Sequence, residues 1–201
     1  VKRFYRHLCG AAAILAVVAV ATTLTLRAGV AHASAAETAP CAAAGVTRTD
    51  EALARSLNAQ LATGMPGRIS GYQASCARAI VQEVQARGLD RRAAVITVAA
   101  ALVEGGLNNY TRIVDDGGAG LFHQGIGPRP NDAAKLLDAR RATDEFLDRM
   151  QRLYPHGSWH QPTIDQVSRR VQGSADIREH VVQDVQAQRI VDAIWSTTDP
   201  A

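Results

Sequence analysis

The sequence predicts an all-α domain. Three observations carry that reading. Apolar residues recur at helical spacing in one segment after another, capping residues and glycines bracket those segments, and no convincing alternation of apolar and polar residues marks a half-buried strand. The one β structure expected is a short pairing inside a glycine-rich loop.

The chain opens on "VKRFYRH", continues in an apolar run from Leu8 to Leu26, and then reads "RAGVAHASAAE". A positive start, an apolar middle and a small-residue exit at Ala31, His32 and Ala33 are the parts of a secretory signal peptide. It is expected over residues 1–33, with cleavage after Ala33. The alternative is a retained anchor, since the run is long enough to span a bilayer. Contact with a membrane is expected only through that uncleaved segment. Residues 1–33 hold four of the 22 Lys and Arg and none of the 19 Asp and Glu, which leaves 18 basic against 19 acidic residues. A near-neutral chain with no block of like charge excludes nucleic acid as a partner. A secreted monomer is expected.

Past the leader, Cys41 and Cys76 are the only cysteines. An even pair in an exported protein reads as a disulfide. Neither cysteine has the spacing of a metal knuckle, so no metal is expected, and no cofactor motif is present. Residues 34–46, "SAAETAPCAAAGV", are small and low in complexity and read as a short linker pinned by Cys41. The remaining domain, 47–197, is long enough for one core of its own.

Each helix has its own signal. "TDEALARSLNAQLATG" opens on a Thr/Asp cap, repeats Leu53, Leu57 and Leu61 on one face, and stops at Gly64. "GYQASCARAIVQEVQARG" sets Cys76, Ile80 and Val84 on one stripe. "LDRRAAVITVAAALVEGG" is apolar nearly all round, with Asp90 as N-cap, and is expected to be the buried central helix. "NDAAKLLDARRATDEFLDRMQRLY" reads as helix in two pieces. "TIDQVSRRVQG" and "ADIREHVVQDVQAQRIVDAIW" are the last helices, the second with Val181, Val185 and Ile194 facing inward. Between Leu107 and Pro130 the periodicity disappears into turn chemistry. A glycine-dense loop of this length in a compact domain is usually functional.

Glu104 stands where the central helix meets that loop. Burial beside "ITVAAALV" disfavours its charged form, and so does the negative end of the helix dipole. A glutamate kept protonated near neutral pH serves as a general acid, the group that glycosidic cleavage requires on the leaving oxygen. The bland alternative is a solvated glutamate at a helix end. Asn108, Asn109, Tyr110 and Gln124 offer amides and a phenol for sugar hydroxyls. Asp115 and Asp116 are candidates for a second carboxylate, or else turn-forming aspartates before a glycine pair. Tyr154 and Trp159 are candidates for stacking on a sugar ring if their loop folds back on the groove, with core packing the alternative.

The segment "EGGLNN" followed by "GGAGLFHQ" resembles the lysozyme-like superfamily, in particular the soluble lytic transglycosylase and goose-type lysozyme group. "LNNY", "GLFHQ", "EFLDRM" and "IVDAIW" are similar to segments of secreted actinobacterial lysozyme-like proteins, and the likeness runs over residues 45–196. It implies a lysozyme-like helical domain with a glycine-rich active-site loop, and peptidoglycan as the partner. It further implies Glu104 as general acid/base, with Asn108, Tyr110, Gly120, Phe122, His123 and Gln124 at the substrate. In such a reaction the glutamate protonates the β-1,4 glycosidic oxygen. It then draws a proton either from the muramoyl 6-hydroxyl, giving a 1,6-anhydro product, or from a water. The departures are specific: Gly105 replaces the serine after the acid, His123 stands in place of a glutamine, and one extra residue precedes Gly120. "SAD" at 174–176 stands for a tyrosine motif. They bear on the support of the transition state, and leave a non-catalytic module that binds wall glycan as the alternative. Gln124 is expected to take the role of the missing glutamine, the alternative being that His123 itself points at Glu104, favours its charged form and weakens it as an acid.

Overall fold

The computed structural model describes residues 37–61, 68–114, 118–125, 132–173 and 180–198. The leader, Gly64, Asp115, Asp116 and residues 174–176 lie outside them. The helices run in the order α1 (Arg48–Leu61), α2 (Gly71–Ala86), α3 (Arg91–Gly105), α4 (Asp132–Leu137), α5 (Ala139–Leu153), α6 (Ile164–Gln172) and α7 (His180–Thr198). A hairpin of β1 (Tyr110–Val114) and β2 (Gly118–Gly120) lies between α3 and α4, and a 3-10 segment, Pro155–His160, between α5 and α6. The fold is mostly helical, as its periodicity predicts. No helix among the described residues is long and apolar enough to cross a membrane.

The helix starts follow from side-chain acceptors that satisfy first-turn N–H groups. Ser70 and Gln73 form a capping box on α2, and Thr163 and Gln166 form another on α6. Asp90 caps α3 by accepting from Ala93 N, and Asp138 caps α5 by accepting from Arg140 N and Arg141 N. Asp50, in the first turn of α1, is wholly buried. It accepts from Arg78 Nε at 2.7 Å and Nη2 at 2.9 Å, and from Thr47 Oγ1. Those bonds hold its carboxyl below the ordinary range although burial pushes the other way.

Helix α3 is the centre of the domain. Every residue from Ala93 to Leu102 is buried, and the helix packs against α7, α6 and α2. Cys76, Ile80 and Val84 of α2 are fully buried, and so is Ile194 of α7, at 1% exposed. Val185 does not face inward as expected. It is 54% exposed, because α7 turns Gln186, Ala187, Ile190, Val191 and Ile194 to the core instead. Period alone set the stripe one face too wide.

The segment expected as a linker is docked over its described part. Thr111 N donates to Glu37 O and Ala39 N to Asn109 O, so residues 37–39 run against the start of β1. Cys41 is bonded to Cys76, and Tyr72 Oη donates to Ala39 O at 2.7 Å.

Candidate active site

The stretch "VEGGLNN" ends α3 by a left-handed reversal. Gly106 is the C-cap at φ 59°, its N–H bonded to Leu102 O at 2.9 Å, and Leu107 N returns to Ala101 O at 3.0 Å. Leu107 is itself left-handed at φ 60°, an unfavourable state for a non-glycine residue, and it is completely buried. Burial of the leucine side chain offsets that strain and fixes where the helix stops. Glu104 is thereby held in the last turn.

The second piece is the turn "GLFH". Ala119 and Gln124 exchange two backbone hydrogen bonds of 3.0 Å, which closes Gly120–His123 into a compact loop. His123 takes φ 49°, and its carbonyl crosses Gly118 so closely that a Cβ there would sit 2.3 Å from His123 O. Glycine at 118 is a condition of this turn. Phe122 enters the core, 2% exposed and stacked on Phe146 at 5.1 Å, so its neighbour His123 points elsewhere.

These two pieces, with α4, α5 and the end of α6, enclose a cavity of about 450 Å³. Its lining comprises Glu104, Phe122, His123, Gln124, Gly125, Lys135, Leu136, Glu145, Arg149 and Gln172. Glu104 is partly buried, and burial is the largest influence on its carboxyl, pushing it above the ordinary range. A hydrogen bond from the Gln172 side chain and the charge of His123 act the other way, and burial wins. The glutamate is thus partly desolvated and not a freely solvated residue at a helix end.

An amide beside Glu104 is that of Gln172, which the sequence did not single out. Gln124 lines the cavity, but its backbone is committed to the bridge with Ala119. Gln172 Nε2 also donates to Phe122 O at 3.2 Å, which ties α6 to the "GLFH" turn. His123 faces Glu104 electrostatically, its ring 6.2 Å from that of Tyr110, and its buried Nε2 has no hydrogen-bond partner among the described residues.

Several expected contacts have structural tasks. Asn108 Nδ2 donates to Gly105 O at 2.8 Å and so caps α3. Asn109 is fully buried and donates to Leu137 O. Tyr110 lies over Gly105, where a Cβ would rest 3.4 Å from the ring. That is ordinary contact, so packing does not demand glycine at 105. Gly120 is buried, and a Cβ on it would meet Leu136 O at 2.7 Å. None of these four lines the cavity, because each meets a backbone that it must satisfy or clear. Phe122 touches the cavity but keeps its ring in the core.

The aromatic candidates lie elsewhere. Trp159 is 7% exposed and its carbonyl accepts from Arg92, so it packs on the core and presents no face to a ligand. Tyr154 lies under the Arg170 guanidinium, 5.6 Å from its carbon. His156 and His160 stand four residues apart in "HGSWH" but do not share a helical face, since His156 and Gly157 adopt φ of 57° and 77°. His160 Nε2 lies 2.7 Å from Asp90 Oδ2. Among the described residues no cluster of His, Cys, Asp and Glu could hold a metal ion. No protein-family model matches the sequence, and no curated protein does either.

Proposed function

We propose that the chain is an exported peptidoglycan-active protein that cleaves the β-1,4 glycosidic bond of glycan strands, with Glu104 as general acid/base. The observation that carries the reading is the state of Glu104. It is a carboxyl at the end of a buried helix, opening on a cavity and raised above its ordinary range by burial. A raised carboxyl keeps its proton closer to neutral pH and delivers it to a leaving oxygen. The amides of Gln124 and Gln172 and the backbone at Gly125 supply neutral hydrogen-bonding groups beside it, the kind that hold sugar hydroxyls and acetamides. Once the proton is given, the carboxylate is the base for the second half of the reaction, toward either a 6-hydroxyl or a water.

Incubation of the purified protein with wall sacculi tests this, with released fragments identified by mass spectrometry. Fragments ending in 1,6-anhydro sugars mark intramolecular capture, and reducing ends mark hydrolysis.

One observation favours a second reading, a lysozyme-like module that binds glycan without cutting it. His123 and Gln172 both favour the charged form of Glu104 and so weaken it as an acid. On this reading the protein sediments with sacculi and releases nothing. A gain of cleavage in His123→Gln would mark a weakened enzyme between the two.

A further inference from the structure

A second cleft, of about 420 Å³, is lined by Tyr154, Pro162, Gln166, Arg169 and Arg170. It shares no lining residue with the cavity at Glu104. Gln166, Arg169 and Arg170 stand at helical spacing on one face of α6, while Val167 and Val171 enter the core. Two devices set the facing wall. His156 at φ 57° and Gly157 at φ 77° turn the chain sharply after Tyr154. Arg92, from the central helix, then holds the return by donating Nε to Trp159 O and Nη2 to Pro162 O. A left-handed non-glycine residue persists where its surroundings over-determine it, and the other two, Leu107 and His123, stand beside Glu104.

The lining of this cleft holds two guanidinium groups and no carboxylate. Arg78, Arg87 and Arg140 each face an acid of their own. Arg169 does too, through Nη2 to Asp165 Oδ2 at 3.2 Å, yet its Nε is buried with no hydrogen-bond partner among the described residues. Arg170 has neither ion pair nor hydrogen bond among the described residues, and its guanidinium carbon rests 5.6 Å from the centre of the Tyr154 ring. Gln166 commits Oε1 to the Thr163 N–H, which leaves Nε2 as a donor. The cleft thus offers N–H donors, one uncompensated positive charge, and the rings of a tyrosine and a proline.

Such a donor set suits an oxyanion and has nothing for an amine or a metal ion. The single uncompensated charge matches a monoanion, which it would meet with a charge-assisted hydrogen bond. Ring faces suit the carbon skeleton of a sugar or polyol, and the Gln166 amide its hydroxyls. We propose that this cleft is a second binding site, for a polyhydroxylated chain bearing a monoanionic phosphodiester or carboxylate. Arg170 holds the oxyanion, with Tyr154 and Pro162 against the carbon skeleton. The site is separate from the Glu104 cavity and goes beyond the cleavage reading.

The test uses three soluble probes: a glycerol phosphodiester oligomer, a galacturonate oligomer and a neutral dextran oligomer. Binding is measured by calorimetry, and its place by NMR signals of the Tyr154 ring and the Gln166 amide. The proteins are the wild type, Arg170→Gln, Arg170→Lys and Glu104→Gln. Arg170 is exposed, and a melting curve of each variant checks that it folds. At least one anionic oligomer should move both signals, and dextran should move neither. Affinity should fall about tenfold in Arg170→Gln, the scale of one charge-assisted contact. It should survive in part in Arg170→Lys and be unchanged in Glu104→Gln. Binding of one anionic probe alone supports the site and names the source of its oxyanion, and equal binding of both supports recognition of the charge itself. Silence of both signals with both anions overturns the proposal, and so does equal affinity in the wild type and Arg170→Gln, or equal binding of dextran. Oligomer binding that persists in a protein releasing nothing from sacculi supports this site and overturns only the cleavage reading.

Discussion

Gln172, the last residue of α6, stands beside the carboxyl of Glu104 in the last turn of α3 and favours its charged form. The same side chain donates to Phe122 O, so one amide joins the acid, the "GLFH" turn and a late helix. Its effect on Glu104 opposes that of burial, because a donor favours the charged carboxylate. Gln172→Leu removes the donor at similar volume, and the Glu104 carboxyl should rise further. A general acid is active below its own pKa and inactive above it. The basic limb of the rate profile should therefore move to higher pH by less than about one unit, the worth of a single hydrogen bond. A carboxyl-labelled NMR titration of Glu104 reads the same shift without turnover. A downward shift would show that Gln172 does not favour the charged form.

Gly118→Ala tests the architecture of the turn. The added methyl would meet the backbone of His123 at 2.3 Å, and backbone cannot swing aside as a side chain does. We expect a loss of about 2 kcal/mol, seen as a lower melting temperature, together with loss of ligand binding. An unchanged melting temperature would contradict the close crossing of Gly118 and His123.

Asp184 supplies a pH dependence of stability separate from the site. Burial raises its carboxyl to about 6, and the charge of Asp165 adds to the rise, against the Arg92 charge and a backbone hydrogen bond from Asp165. The folded state therefore binds more protons than the unfolded state between the ordinary value of 3.8 and about 6. This contribution is fully present below 3.8 and lost as pH rises through about 6. Asp184→Asn should raise stability at pH 7 by about 1 kcal/mol after allowance for solvent screening, and by much less at pH 4. Urea melts of both proteins at the two pH values check it. Equal effects at both would sink the assignment.

The Cys41–Cys76 bond closes a span of 35 residues and joins the docked N-terminal segment to α2. On the chain-entropy model such a loop stabilises by about 4 kcal/mol. Cys41→Ser with Cys76→Ser should lower the urea midpoint accordingly and release residues 37–41 from β1, seen as faster amide exchange at Thr111. Slow exchange there in the double variant would show that the backbone bridge holds without the disulfide.

The residues legible in the sequence are those whose role is local. Asp90, Ser70 and Thr163 announce helix starts because a cap acts within three residues. The central helix was legible from its length of unbroken apolar residues, and Glu104 from its position after them. The rest of the site was not. Gln172 lies 68 positions from Glu104, and nothing near it distinguishes it from any polar residue on an amphipathic helix. Asn108, Tyr110 and Gly120 look like ligand contacts because loops rich in amide and glycine often are. Here the backbone around them uses them first: Asn108 for a cap, Tyr110 to cover Gly105, and Gly120 to clear Leu136.

The central claim is that Glu104 is the proton donor of a glycan-cleaving site. Its most direct test is Glu104→Gln, a change that keeps shape and removes the acid. The assay measures release of soluble fragments from purified sacculi, with co-sedimentation on the same sacculi as the control for binding. The account predicts that release falls by about a thousandfold or more, the scale of losing a general acid together with the charge it later carries, while sedimentation is retained. Release that continues unchanged in Glu104→Gln would contradict it.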